Sequence, residues 1–179
     1  MLKIEKPKIK IIVISDSHSD PHPQFFSKLK NIDLILHCGD ISSMDLIYEL
    51  QEFAPVYGVH GNVESAETED NFPAENLLEI NNLQILILHE LSTNLEYFYN
   101  NVILKKYPDV KLVLFGHTHI PFKKKYKDVV FFNPGAIGPS RYKKLPTYGV
   151  LKIDYKGNFN LTHKRIYDFE MIKKYFFDF

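Results

Sequence analysis

Asp16 with His18, Asp40, Asn62, His89, and His117 with His119 are carboxylate, amide and imidazole groups that each follow closely on a short apolar run. The runs occupy residues 11–14, 34–36, 56–59, 85–88 and 112–115. If they are buried strands, all seven side chains arrive at one end of a sheet. Oxygen and imidazole ligands without thiolates suit manganese, iron, zinc, nickel or magnesium. Such a set outlines a binuclear metal site. Taken singly, Asp16 before Ser17 reads as a turn residue, His89 as a histidine at a strand end and Asn62 after Gly61 as a loop residue needing left-handed backbone.

The elements that must position these groups alternate in the first half, as in an α/β protein. Strands are expected over 9–14, 33–36 and 55–59, with helices over 24–30 and 44–53. Ser42 or Ser43 caps the second helix, and Ile41, Met44, Ile47, Tyr48 and Leu50 form its apolar stripe. Beyond residue 76 the pattern changes to a hairpin, 77–80 and 83–89, turned at Asn81-Asn82. Thr93 or Asn94 caps a helix that runs to Lys106 and is closed by Pro108. A strand at 111–115 follows, then short strands near 122–126, 129–132, 147–153 and 158–166. Their turns are Lys127-Asp128 and Lys156-Gly157-Asn158. Phe169, Ile172, Tyr175 and Phe176 stand at helical spacing, which predicts a terminal helix docking on the core.

A chain of 179 residues with 45% apolar content is expected to form one domain, 1–179, with a filled interior. Lys plus Arg equal Asp plus Glu at 22 each, so net charge suggests neither a general nucleic-acid binder nor a membrane binder. Lys123-Lys124-Lys125 reads as an exposed sheet edge guarded by lysines. The single cysteine, Cys38, excludes an internal disulfide and fits a reducing compartment. Alternation turns Cys38 away from its neighbours and toward buried packing. No apolar stretch approaches the length of a membrane span, and a cytoplasmic location is expected.

The order Asp16-Ser17-His18, Gly39-Asp40, Gly61-Asn62, His89, Gly116-His117-Thr118-His119 and Asn133-Pro134-Gly135 resembles the calcineurin-like metallophosphoesterases. Within them it is similar to the small phosphodiesterase branch that also includes the scaffold subunit of the retromer complex. The resemblance implies a four-layer α/β/β/α sandwich. It implies that Asp16, His18, Asp40 and His119 hold one divalent ion, and that Asn62, His89 and His117 join Asp40 around a second. Manganese is the first expectation for both ions, with nickel, zinc, iron and magnesium as alternatives. Asp40, Asn62 and His117 carry catalytic weight in this scheme: a water or hydroxide bridging the two ions attacks a small phosphodiester in line. Asp16 and His18 are two apart, as are His117 and His119, and in extended chain each pair projects to one side. His37 is a candidate for orienting Asp40 or a neighbouring ligand. Arg141, in the loop after Asn133, is a candidate phosphate contact.

The chain also departs from that pattern. Larger relatives place a proton-donating histidine after the ligand asparagine and the small branch commonly a cysteine, whereas this chain has Val63. Glu64 replaces a usual aspartate, and Glu90 follows His89 where glycine is usual. His60 is a candidate substitute donor. Loss of a general acid removes a factor of about 10² to 10⁴, felt most with poor leaving groups. Two alternatives stand beside the phosphodiesterase: a metal-binding interaction scaffold like the retromer subunit, and a phosphomonoesterase. The scaffold relatives typically lose the ligand asparagine and a ligand histidine, which this chain keeps as Asn62 and His89. A homo-oligomer is compatible with any of these readings.

Overall fold

The computed structural model describes residues 2–18, 20–91, 94–138 and 145–167. Its strands are β1 (Leu2–Ile4), β2 (Lys8–Ile14), β3 (Leu34–Cys38), β4 (Val56–Val59), β5 (Glu75–Ile80) and β6 (Leu83–Leu88). The later ones are β7 (Val110–Leu114), β8 (Phe122–Tyr126), β9 (Val129–Asn133), β10 (Thr147–Asp154) and β11 (Phe159–Arg165). They form a six-stranded sheet, β1-β5-β6-β7-β9-β8, and a five-stranded sheet, β11-β10-β2-β3-β4.

Strand alternation explains why the sheets stack. Ile9, Ile11 and Val13 of β2, Leu34 and Leu36 of β3, Ile85 and Ile87 of β6, and Leu112 and Leu114 of β7 meet in one buried cluster between the sheets. The intervening residues face outward: Ile12, Ile14 and Ile35 pack beneath α1 (Met44–Gln51), and Leu86, Leu88 and Val113 lie with Phe98 and Ile103. The result is helix, sheet, sheet, helix, as the resemblance implied. Each fully buried Ile or Leu stabilises the fold by roughly 1.5–3 kcal/mol relative to exposure. That clamps the strands and fixes where their ends lie.

Local chemistry sets the helix boundaries. Ser43 is the cap of α1, its Oγ accepting from Asp45 N at 3.1 Å. Met44, Leu46, Ile47 and Leu50 are buried, while Tyr48, expected in the stripe, is 54% exposed on the flank. The helix expected over 24–30 is instead a short 3₁₀ helix, Pro23–Lys28, six residues long, and short 3₁₀ pieces are common connectors. Two elements lacked a periodic signal in so few residues: β1, and α2 (Ala66–Asn71), which Ser65 caps. Asn94 caps the later helix, which is α3 (Leu95–Phe98), a π-helical turn (Tyr99–Ile103) and α4 (Leu104–Lys106). Among the described residues no helix is long and apolar enough to cross a membrane. The terminal helix expected over 169–179 falls outside the described residues.

Candidate metal centre

β2, β3 and β4 run parallel, as do β6, β7 and β9, so each group points its C-terminal ends the same way. Backbone bonds then lash neighbouring loops together within each sheet. Asp16 N donates to Gly39 O at 3.0 Å, His18 N to Asp40 O at 3.0 Å, and Gly116 N to His89 O at 2.9 Å.

Within this cluster Asp16, His18, Asp40 and His119 each offer a ligand atom, and these atoms all lie within 4.8 Å of one another. Nε2 of His119 is 3.5 Å from Asp16 Oδ1 and 3.2 Å from Nε2 of His18, whose Nε2 is 3.7 Å from Asp40 Oδ2. A second group adjoins the first through Asp40. His89 Nε2 lies 3.3 Å from Asp40 Oδ1 and 3.1 Å from Asn62 Oδ1, and His117 Nδ1 is 3.0 Å from that same amide oxygen. All seven residues predicted from sequence as ligands are therefore brought together. Arg141 lies outside the described residues.

The reason given above for the paired ligands is corrected. Asp16 and His18 are not in extended chain, and neither are His117 and His119; all four have positive φ, as does Asp40, between 48° and 67°. Residues held in the left-handed region cost of order 1–3 kcal/mol each and cluster at functional sites. Asn62, by contrast, does not adopt positive φ. Close approach adds a further demand: Gly39, at φ +92°, leaves no room for a Cβ because the His89 ring occupies that place. A Cβ on Gly61 would strike the Asp40 carboxylate.

The electrostatics suit a cation. Asp16 Oδ2 and Asp40 Oδ2 are buried and have no hydrogen-bond partner among the described residues. Unpaired buried carboxylate oxygens are costly unless positive charge lies beside them. The Nδ1 of His89 donates to Cys38 O at 2.8 Å, which leaves its Nε2 facing the Asn62 and Asp40 oxygens. Two acceptor oxygens around that nitrogen call for positive charge, from a proton on the ring or from a metal ion in its place. Burial pushes the Asp16 carboxyl up to about 6 against the smaller opposing pull of His89. Burial also acts to raise Asp40, but the hydrogen bond and charge of His89, with the Val63 amide and His18, outweigh it and hold that carboxyl at about 2. These residues fit divalent ions.

Three supporting residues were under-read in the sequence. The Glu64 carboxylate accepts from Gly61 N at 2.7 Å, Ile41 N at 2.9 Å and Ser42 N at 2.5 Å, so it pins the loops that carry Asn62 and Asp40. Asn133 donates to Gly116 O at 2.6 Å and Thr118 Oγ1 at 3.2 Å, fixing the His117 loop. Ser17 Oγ lies 3.0 Å from His37 Nε2, while His37 Nδ1 accepts from Gly39 N at 3.2 Å. His37 thus braces the Asp16 and Asp40 loops through Ser17 and Gly39 and does not touch the Asp40 carboxylate. The signal for Glu64 was an acidic residue two positions after a candidate ligand, that for Asn133 its place in the Asn133-Pro134-Gly135 motif, and that for Ser17 its place between Asp16 and His18. Replacing Glu64 by Ala strands three backbone donors and is expected to cost about 2–3 kcal/mol in denaturant unfolding. Glu64→Gln, which keeps one acceptor oxygen, is expected to lose less.

The departures also find their places. Val63 is 45% exposed, and its backbone N–H donates to Asp40 Oδ1 at 3.0 Å. Glu90, its side chain 71% exposed, has Oε1 4.0 Å from His117 Nε2 and stands at the rim rather than between ligands. The His60 ring Nδ1 turns to Gly61 O at 2.9 Å, which is the one polar contact of that ring among the described residues. Cys38 packs in the core between the sheets, and burial, with the Asp16 charge, raises its thiol well above the ordinary range.

Two stacked sheets with carboxylate, amide and imidazole groups converging at their strand ends define a metal-dependent hydrolase architecture. Residues 9–156 match the calcineurin-like phosphoesterase superfamily domain, and the chain belongs to that family. It is 32% identical over 133 residues to a probable metallophosphoesterase of Methanocaldococcus jannaschii, a match spanning 69% of this chain and 66% of that protein. It is 26% identical over 161 residues to a phosphodiesterase of the same archaeon, covering 83% and 95% of the two chains. The fold is similar to that of Vacuolar Protein Sorting 29 from Cryptosporidium parvum, with a TM-score of 0.70 at 18% identity over 89% and 98% of the chains.

Proposed function

We propose that this single-domain protein is a metal-dependent phosphodiesterase using two divalent ions, manganese first. Asp16, His18, Asp40 and His119 hold one, and Asp40, Asn62, His89 and His117 the other. The observation that carries this reading is that Asp16, His18, Asp40 and His119 offer four ligand atoms within 4.8 Å of one another, while each of the two carboxylates has a buried oxygen without a hydrogen-bond partner among the described residues. When bound, divalent ions supply Lewis acidity to a phosphoryl oxygen and acidify water.

The chain's own groups do the positioning. Asn62 and Val63 N–H donors hold Asp40 Oδ1, which leaves Oδ2 facing the site. The Cys38 carbonyl fixes the His89 tautomer. Val63 gives the leaving group no proton, so the activity we propose favours activated aryl diesters over alkyl diesters. A buried single cysteine fits a reducing compartment, and we place the protein in the cytoplasm on that ground.

The test is hydrolysis of an aryl and an alkyl phosphodiester by metal-stripped protein with manganese, nickel, zinc or magnesium returned. Activity should reappear with manganese, and the aryl diester should be cleaved faster by about 10² or more. Silence with every metal would favour the interaction-scaffold reading, and faster alkyl cleavage would sink the leaving-group argument.

A further inference from the structure

A net charge of zero hides a strong polarity. Residues 1–109 contain 8 Lys and Arg against 17 Asp and Glu, whereas residues 110–167 contain 12 against 2. The fold sorts this imbalance in space. The basic stretch supplies β7 to β11, which lie toward the β8 edge of one sheet and the β11 edge of the other. Glu67, Glu69 and Asp70 sit on α2, which follows β4, the opposite edge of the five-stranded sheet, and Glu75 opens β5, next to β1 at the opposite edge of the six-stranded sheet.

The two basic edges meet. Lys123 Nζ on β8 donates to Leu161 O on β11 at 2.6 Å, and His163 Nε2 on β11 lies 2.8 Å from Asn133 O on β9. Lys123 pairs in register with Phe132 and Lys125 with Val130, so both share the face turned toward the other sheet. Arg165 shares the face of Leu161, and Lys164 points to the opposite side of β11. Lys123, Lys125, Lys164 and Arg165 are all exposed. No carboxylate occurs in β8, β9 or β11. Lysines on one edge are accounted for by protection against edge pairing. A second basic edge docked on the first, with no acid on either, goes beyond that need.

This side is joined to the metal centre. β8 begins three residues after His119, its first residue Phe122 pairs with Asn133, and Asn133 holds the His117 loop. Lys123 and Lys125 stand about 6.6 Å apart along the strand. Phe122, 37% exposed at the head of the row, offers a ring on which a base can stack.

We propose that the β8–β11 side is a binding track for single-stranded nucleic acid, with backbone phosphates along Lys123, Lys125, Lys164 and Arg165 and a neighbouring diester entering the metal centre. That the strand is also the substrate rests on the phosphodiesterase reading above. A linear row leading to a diester-cleaving site suits a polymer of diesters better than a lipid surface does. Single strands bend into a buried site more readily than duplexes, and both Asp16 and Asp40 are buried.

The experiment is fluorescence anisotropy of a labelled oligothymidylate with the full chain in EDTA, for the wild type and for Lys125→Glu/Arg165→Glu. Neither residue belongs to the metal centre. The variant should bind at least tenfold more weakly, with a log–log salt slope flatter by about 1.4 for two lost phosphate contacts, while its aryl diester hydrolysis stays unchanged. Lys125→Gln/Arg165→Gln should fall between the two and guards against misfolding of the charge reversal. Equal binding by wild type and variants, no oligonucleotide binding, or binding only to phosphatidylserine vesicles would each overturn the track. Track binding without any diester hydrolysis would support the track and remove the activity proposed above, so the two readings fail separately.

Discussion

Asp40→Asn is expected to abolish manganese-supported hydrolysis of an aryl phosphodiester, by about 10³-fold or more, while leaving the fold intact. The two Asp40 oxygens have different partners. Oδ1 accepts from Asn62 N and Val63 N, both at 3.0 Å, and an asparagine can keep that oxygen in place. Oδ2 is buried with no hydrogen-bond partner among the described residues and faces His18 Nε2 at 3.7 Å. Asparagine puts an uncharged NH₂ there, which donates where the wild type offers negative charge to a cation. The variant should therefore unfold near the wild-type denaturant midpoint in EDTA and lose the stabilisation that manganese gives the wild type. A variant that keeps both activity and manganese stabilisation would remove Asp40 from the site. Asp40→Ala is the harsher comparison, because it also strands two backbone donors.

The convergence of the seven candidate ligands was legible from sequence because each stands at the end of an apolar run, and parallel strands send their C-terminal ends to one edge. Their local geometry was not. The two-residue spacing of Asp16 with His18 suggests extended chain, yet five of the seven adopt positive φ. The loops packed against them hold that conformation: Asp16 N donates to Gly39 O and His18 N to Asp40 O, bonds that no single residue encodes. The supporting residues were illegible for a related reason. Ser17, Asn133 and Glu64 act on backbone groups far away in the chain, and sequence periodicity carries no information on such pairs. Short elements failed differently. α2 spans six residues, too few for a period to show, and the helix expected over 24–30 is a 3₁₀ helix of six residues. The separation of charge between the two parts of the chain is legible in the sequence but does not show in its sum.

His37 is expected to make the stability of the fold depend on pH. The ring is wholly buried; Gly39 N–H donates to its Nδ1, so Nε2 carries the proton and donates to Ser17 Oγ. Protonating Nδ1 would set one donor against another, and burial, aided by the charge of His89, lowers the pKa from 6.5 to about 3. Between those two values the unfolded chain binds the proton and the folded chain does not, so His37 makes stability fall as pH drops through that window. By pH 4 the cost amounts to about 3 kcal/mol. His37→Leu escapes this cost but strands Gly39 N–H, a loss of about 1–3 kcal/mol at any pH. In EDTA, therefore, the variant should be the less stable protein at pH 7, and the difference should close as pH falls toward 4. Urea midpoints at the two pH values measure it; a gap independent of pH would mean that the ring is not held neutral. With manganese at pH 7 the same variant should hydrolyse the aryl diester about 10 to 100 times more slowly, because the loops carrying Asp16 and Asp40 lose the brace that sets them against each other.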